Sequence, residues 1–152
     1  MKTDTEILGI LDLAFADIQK PDHFTNYQHC EECLEHDDTL RSHDRDTLRL
    51  DHVSNAGWDP LCFCSAEGKA YFMPTLIRFA LERANHPDWY AHQLLFHLAG
   101  DGTDNALYQY CNKTQKDAIS EFLSHFIETR ANEIEERMCA DEFLLIHQRW
   151  SA

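Results

Sequence analysis

The sequence predicts a mainly α, single compact domain over residues 1–152, with one small β-hairpin at about residues 61–73. Three observations carry this reading. Apolar residues recur at helical spacing behind capping sequences through most of the chain. Five Gly and four Pro are too few for a turn-rich β-sandwich. One pair of short β-prone runs flanks a single Gly-containing turn. A chain of 152 residues can bury a real core without disulfides or metal. Its 43% hydrophobic content, rich in Phe and Tyr, argues for a packed globule rather than disorder.

The elements follow in order. Thr3-Asp4-Thr5-Glu6 forms a capping box, and Ile7, Ile10, Leu11, Phe15 and Ile18 continue at helical spacing until Pro21. Thr25-Asn26-Tyr27-Gln28 offers a second box, opening a helix that runs to about Ser42. Residues 43–57 are irregular, with Leu48, Leu50 and Val53 as anchors. Leu61-Cys62-Phe63-Cys64 and Lys69-Ala70-Tyr71-Phe72-Met73 flank the turn Ser65-Ala66-Glu67-Gly68, which makes the hairpin. Pro74 then starts a helix with Leu76, Ile77, Ala80, Leu81 and Ala84 on its apolar face, stopped by Asn85-His86-Pro87. Asp88 caps a helix over 89–99 that Gly100 closes. A short helix at Leu107, Tyr108 and Cys111 precedes a long one capped by Thr114, with Ile119, Phe122, Leu123, Phe126, Ile127 and Ile134 inward. Phe143 to Trp150 docks the C-terminal end. There is no repeat and no linker, hence one domain.

The formal net charge is −14, from 13 basic and 27 acidic residues. Nucleic acid and anionic membrane are therefore poor partners, a basic protein partner is permitted, and the charge also serves plain solubility. A polar beginning without a signal-peptide pattern, and no run near the ~20 apolar residues of a membrane span, point to a cytoplasmic protein. Six cysteines there are expected as thiols or metal ligands rather than disulfides.

Chemistry-bearing residues concentrate at His29-Cys30-Glu31-Glu32-Cys33-Leu34-Glu35-His36. On one continuous helix, at ~100° per residue, His29, Cys33 and His36 share a face and Cys30 stands one step aside. Cys62 and Cys64, two apart, would face the same side of a strand. The four thiols and two imidazoles form a zinc-capable pool, since zinc takes four Cys or His ligands in structural sites. The spacing departs from zinc ribbons, and no HExxH accompanies it. A thiol-redox role needs a C-x-x-C that opens a helix after a strand. No strand is predicted there, and three neighbouring glutamates would raise a thiol pKa. The remaining reading makes these cysteines small buried hydrophobes.

The segments His29-Cys30-Glu31-Glu32-Cys33 to Leu40, Gly57-Trp58-Asp59-Pro60, Ser65 to Gly68 and Tyr71-Phe72-Met73-Pro74 resemble a family of small uncharacterised bacterial proteins. Its members share a His-Cys-x-x-Cys segment, a Trp-Asp-Pro segment and an aromatic pair before a proline, in that order. The resemblance covers residues 20–85 and brings no catalytic residue with it. A non-thiol residue at the position of Cys64 in that family implies a metal set of Cys30, Cys33, His36 and Cys62, with His29 and Cys64 as alternates. The function expected is a non-enzymatic protein-interaction or regulatory domain with a structural zinc site. The alternative is a metal-dependent enzyme with its Cys/His site on the 29–36 helix.

Overall fold

The computed structural model describes residues 1–82 and 89–152. Among them it has nine α-helices, three 3-10 turns and no β-strand. The helices are α1 (Asp4–Ala14), α2 (Glu31–Arg41), α3 (Leu50–Val53), α4 (Ala66–Glu82), α5 (Tyr90–Ala99), α6 (Ala106–Tyr110), α7 (Lys113–Thr129), α8 (Ala131–Glu136) and α9 (Ala140–Trp150). The 3-10 turns are Ala56–Trp58, Pro60–Phe63 and Gly102–Asp104.

The mainly α class holds, but the hairpin at 61–73 does not exist. Two local caps override the β-prone residues. Asp59 Oδ1 accepts the Leu61 amide at 2.9 Å and Pro60 presets the next φ, so Pro60–Phe63 coils into a 3-10 turn. The expected turn Ser65–Gly68 is instead the start of α4: Ser65 Oγ accepts the Gly68 amide at 3.1 Å. The apolar run behind it then winds into a helix.

α4 is the centre of the fold. Gly68, Ala70 to Ile77 and Phe79 to Leu81 are all buried, so it has no continuous polar face and must be covered on every side. α1, α5 and α6 provide much of that cover, while α7 packs on α1 and α9. Pro74 lies inside α4 rather than at its start. It withdraws the amide that would bond the Ala70 carbonyl. Arg45 braces the same turn, donating Nε to the Tyr71 carbonyl and Nη2 to the Phe15 carbonyl at 2.8 Å, while Thr75 Oγ1 donates to the Arg45 carbonyl at 2.9 Å.

Other expectations shift at their edges. α1 keeps its capping box and buries Ile7 and Leu11, but ends at Ala14, well before Pro21. The long helix is capped by Asn112, not Thr114, through a box with Gln115, and Ile134 belongs to the separate α8. Trp150 docks the end of α9 by donating Nε1 to the Leu98 carbonyl at 3.1 Å. The Asn85-His86-Pro87 stop, Ala84 and the Asp88 cap lie outside the described residues. No described helix is long and apolar enough to cross a membrane.

Gly68 sits where α4 meets the chain before α2. A Cβ there would stand 2.4 Å from Cys64 Sγ and 2.7 Å from Phe24 Cδ1. Gly68→Ala is therefore expected to cost about 1–3 kcal/mol through overpacking, read as a lowered midpoint in urea unfolding with unchanged slope.

Candidate functional site: two thiol clusters

The chain reaches α2 through a turn tied down by one carboxylate. Asp37, fully buried on α2, accepts the Phe24 amide at 2.6 Å and the Thr25 amide at 3.1 Å on Oδ1, and meets His23 Nδ1 at 2.7 Å on Oδ2. Burial alone would raise its pKa, but the His23 bond and the two amides outweigh it and lower it. Thr25 Oγ1 donates to the Cys33 carbonyl at 2.7 Å, so this threonine braces α2 instead of capping it.

α2 consequently starts at Glu31, and Cys30 is its N-cap. His29 and Cys30 are therefore not on the helix, and the single continuous helical face expected from His29 to His36 is broken. The Cys30 sulfur accepts the Cys33 amide at 3.4 Å and lies 3.3 Å from Cys33 Sγ. His29 Nδ1 is 3.8 Å from Cys33 Sγ. Cys30 is exposed and Cys33 buried. The two thiols are pushed apart in acidity. The Cys33 amide, then His29 and the Cys33 thiol, lower Cys30 to about 7. The contact with Cys30, then burial and the Cys30 and Glu32 charges, raise Cys33. The glutamate effect expected from the sequence thus falls on Cys33, while Cys30 has the amides of a helix N-terminus.

Cys62 joins a different cluster. It ends up with Asp59 and His97, one ligand atom from each lying within 4.8 Å of the others. His29, Cys30 and Cys33 form the other such group, and either group could hold a metal ion. His36 and Cys64 belong to neither group among the described residues. His36 is fully buried between the rings of Trp58 and Phe63, with centroids 4.6 and 4.9 Å away, and neither ring nitrogen has a hydrogen-bond partner. Cys64 closes the Pro60–Phe63 turn just before α4, and burial pushes its thiol far up.

The sequence reading missed Asp59 and His97 as site residues. Their side chains meet at 2.8 Å, both almost fully buried, across a separation of 38 residues. Asp59 Oδ2 also accepts Gln93 Nε2 at 3.1 Å. No local pattern links a Trp-Asp-Pro segment to a lone histidine on a later helix; the two meet only in the folded chain.

Comparison of the chain with known protein families, curated proteins and solved structures finds no match. The reading of these clusters therefore rests on their geometry.

Two substitutions test this framework. Asp37→Asn is expected to cost about 2 kcal/mol, because it removes charge-assisted bonds to two amides and an imidazole. The lowered pKa fixes the sign with pH: the contribution is present above the ordinary carboxylate value of 3.8 and is lost as pH falls through the lower folded value. Melting curves of both proteins should hence converge in acid. His36→Phe keeps the ring stack and removes two buried nitrogens without partners, so it is expected to stabilise by about 1 kcal/mol in the same melts.

Proposed function

We propose that this chain is a thiol–disulfide exchange protein whose working pair is Cys30 and Cys33. The observation that carries the proposal is the exposed Cys30 sulfur, seated as the N-cap of α2, 3.3 Å from the buried Cys33 sulfur. That contact suits a thiol bonded to a thiolate, from which the two sulfurs close to ~2.05 Å when a disulfide forms.

The steps balance. The Cys30 thiolate attacks a substrate disulfide, forms a mixed disulfide and releases one substrate thiolate. Cys33 gives its proton to His29, attacks the Cys30 sulfur and releases the second substrate thiolate. The two thiolates take up the two protons that left Cys30 and Cys33. Two electrons pass from the dithiol to the substrate, leaving a Cys30–Cys33 disulfide. Cys30 at about 7 combines a substantial thiolate fraction with good nucleophilicity near neutral pH.

The formal charge of −14 directs this chemistry to basic protein partners. The segments that resemble the His-Cys-x-x-Cys family contain the whole pair, and membership in that family is part of the same proposal. A second reading is zinc held by His29, Cys30 and Cys33 with a fourth position open to a partner. It is supported by the approach of their ligand atoms within 4.8 Å.

Iodoacetamide should alkylate Cys30 well ahead of Cys62, with a rate midpoint near pH 7, the value about which Cys30 titrates. In glutathione redox buffers, mass spectrometry should find a Cys30–Cys33 disulfide that is lost in Cys33→Ser. Cystamine, a cationic disulfide, should be reduced faster than anionic oxidised glutathione, with the gap narrowing in salt. Equal alkylation of Cys30 and Cys62, or no intrachain disulfide, overturns the exchange reading. Zinc protection of both cysteines from alkylation, without that disulfide, establishes the second reading instead.

A further inference from the structure

We infer that Asp59, Cys62 and His97 form a second, independent site for a divalent transition-metal ion, with zinc the best match. The donors are a carboxylate oxygen, a thiol sulfur and an imidazole nitrogen, a mixed set of the kind zinc accepts. Their atoms already lie within 4.8 Å of one another. Two rigid elements hold them. Asp59 caps the Pro60–Phe63 turn that carries Cys62, and His97 projects from α5.

The polar contacts at this place show which atoms would face an ion. His97 Nε2 meets Asp59 Oδ2 at 2.8 Å, so these two atoms would ligate together once an ion takes the place of the proton between them. His97 Nδ1, across the ring, is buried and has no hydrogen-bond partner. The Tyr90 hydroxyl is likewise buried without a partner. Burial, and then the charges of Asp59 and Cys62, push its phenol far up.

Access is also present. Cys62 and His97 line a cleft of about 350 Å³ that also contains Lys69 and Asn105. Asp59 and Cys62 line a neighbouring cleft of about 330 Å³. Cys62 is exposed and common to both, so an ion can enter along its sulfur. On binding, the metal–sulfur bond forms as the Cys62 thiol proton leaves to solvent. Three protein ligands leave the fourth position facing the cleft, the pattern of a site that handles a water or small ligand rather than a closed structural one. This site is separate from the Cys30–Cys33 pair and does not rest on its redox role.

The test uses the full chain with Cys30→Ser and Cys33→Ser, which removes the first thiol cluster, titrated with cobalt(II) as a zinc probe. A single equivalent should bind with thiolate-to-cobalt charge-transfer absorption, displaced by zinc. Adding Cys62→Ser, at an exposed position that should not disturb folding, should abolish that absorption. Adding His97→Gln should weaken binding at least about tenfold, circular dichroism confirming that both variants are folded. Absence of stoichiometric binding in the first protein, or a thiolate band that survives Cys62→Ser, overturns the site. Either outcome leaves alkylation and disulfide formation at Cys30, measured on the unsubstituted chain, as a separate question.

Discussion

A helix with no continuous polar face cannot stand at a surface, and much of this fold follows from that constraint on α4. Its first turn carries Gly68 against Phe24 and Cys64. Phe24 is held from three directions: its ring meets α4, its carbonyl accepts the Ser65 amide at 2.8 Å, and its amide bonds Asp37 on α2. The start of the central helix thereby fixes the turn before α2, and with it the place where α2 begins. Cys30 becomes an N-cap because this anchored turn delivers the chain to α2 one residue before Glu31. The same start of α4 fixes the Pro60–Phe63 turn, which packs on α2 and carries Cys62.

One side-chain type meets four electrostatic environments in this frame. Cys30, at the surface with an amide, an imidazole and a thiol around it, is the acidic thiol. Cys33, one helical turn on, is raised by the contact that lowers its neighbour. Burial raises Cys111 to about 12, while Cys62 is raised by burial and by the nearby Asp59 carboxylate. Reactivity and metal affinity thus separate across the molecule: an acidic thiol suits nucleophilic exchange, whereas a thiol, a carboxylate and an imidazole converging within 4.8 Å suit a cation that displaces the thiol proton.

Much of the fold could be read from local signals. The Thr3 capping box and the apolar spacing of α1 and α7 depend on residues within a turn or two of one another. The 61–73 segment could not be read in that way. Its residues favour strands, yet Asp59 and Ser65 offer side-chain oxygens to amides, and those bonds hold turns where a strand would need extended backbone. The helix expected to begin near Thr25 failed for a related reason: Asp37, twelve residues later, takes the Thr25 amide.

The sequence by itself determined a helical, acidic chain and pointed to Cys30, Cys33 and Cys62 as residues with chemistry, because composition, periodicity and short spacing are local properties. Only the tertiary structure decided how those thiols are divided. It placed Cys30 at the mouth of α2 with Cys33 behind it, and moved Cys62 into a cluster with Asp59 and a histidine 38 residues from that carboxylate. The reason is that helix starts and buried hydrogen-bond partners are fixed by contacts between distant segments. The sequence supplies the side chains for those contacts, and the packing around α4 selects which of them meet.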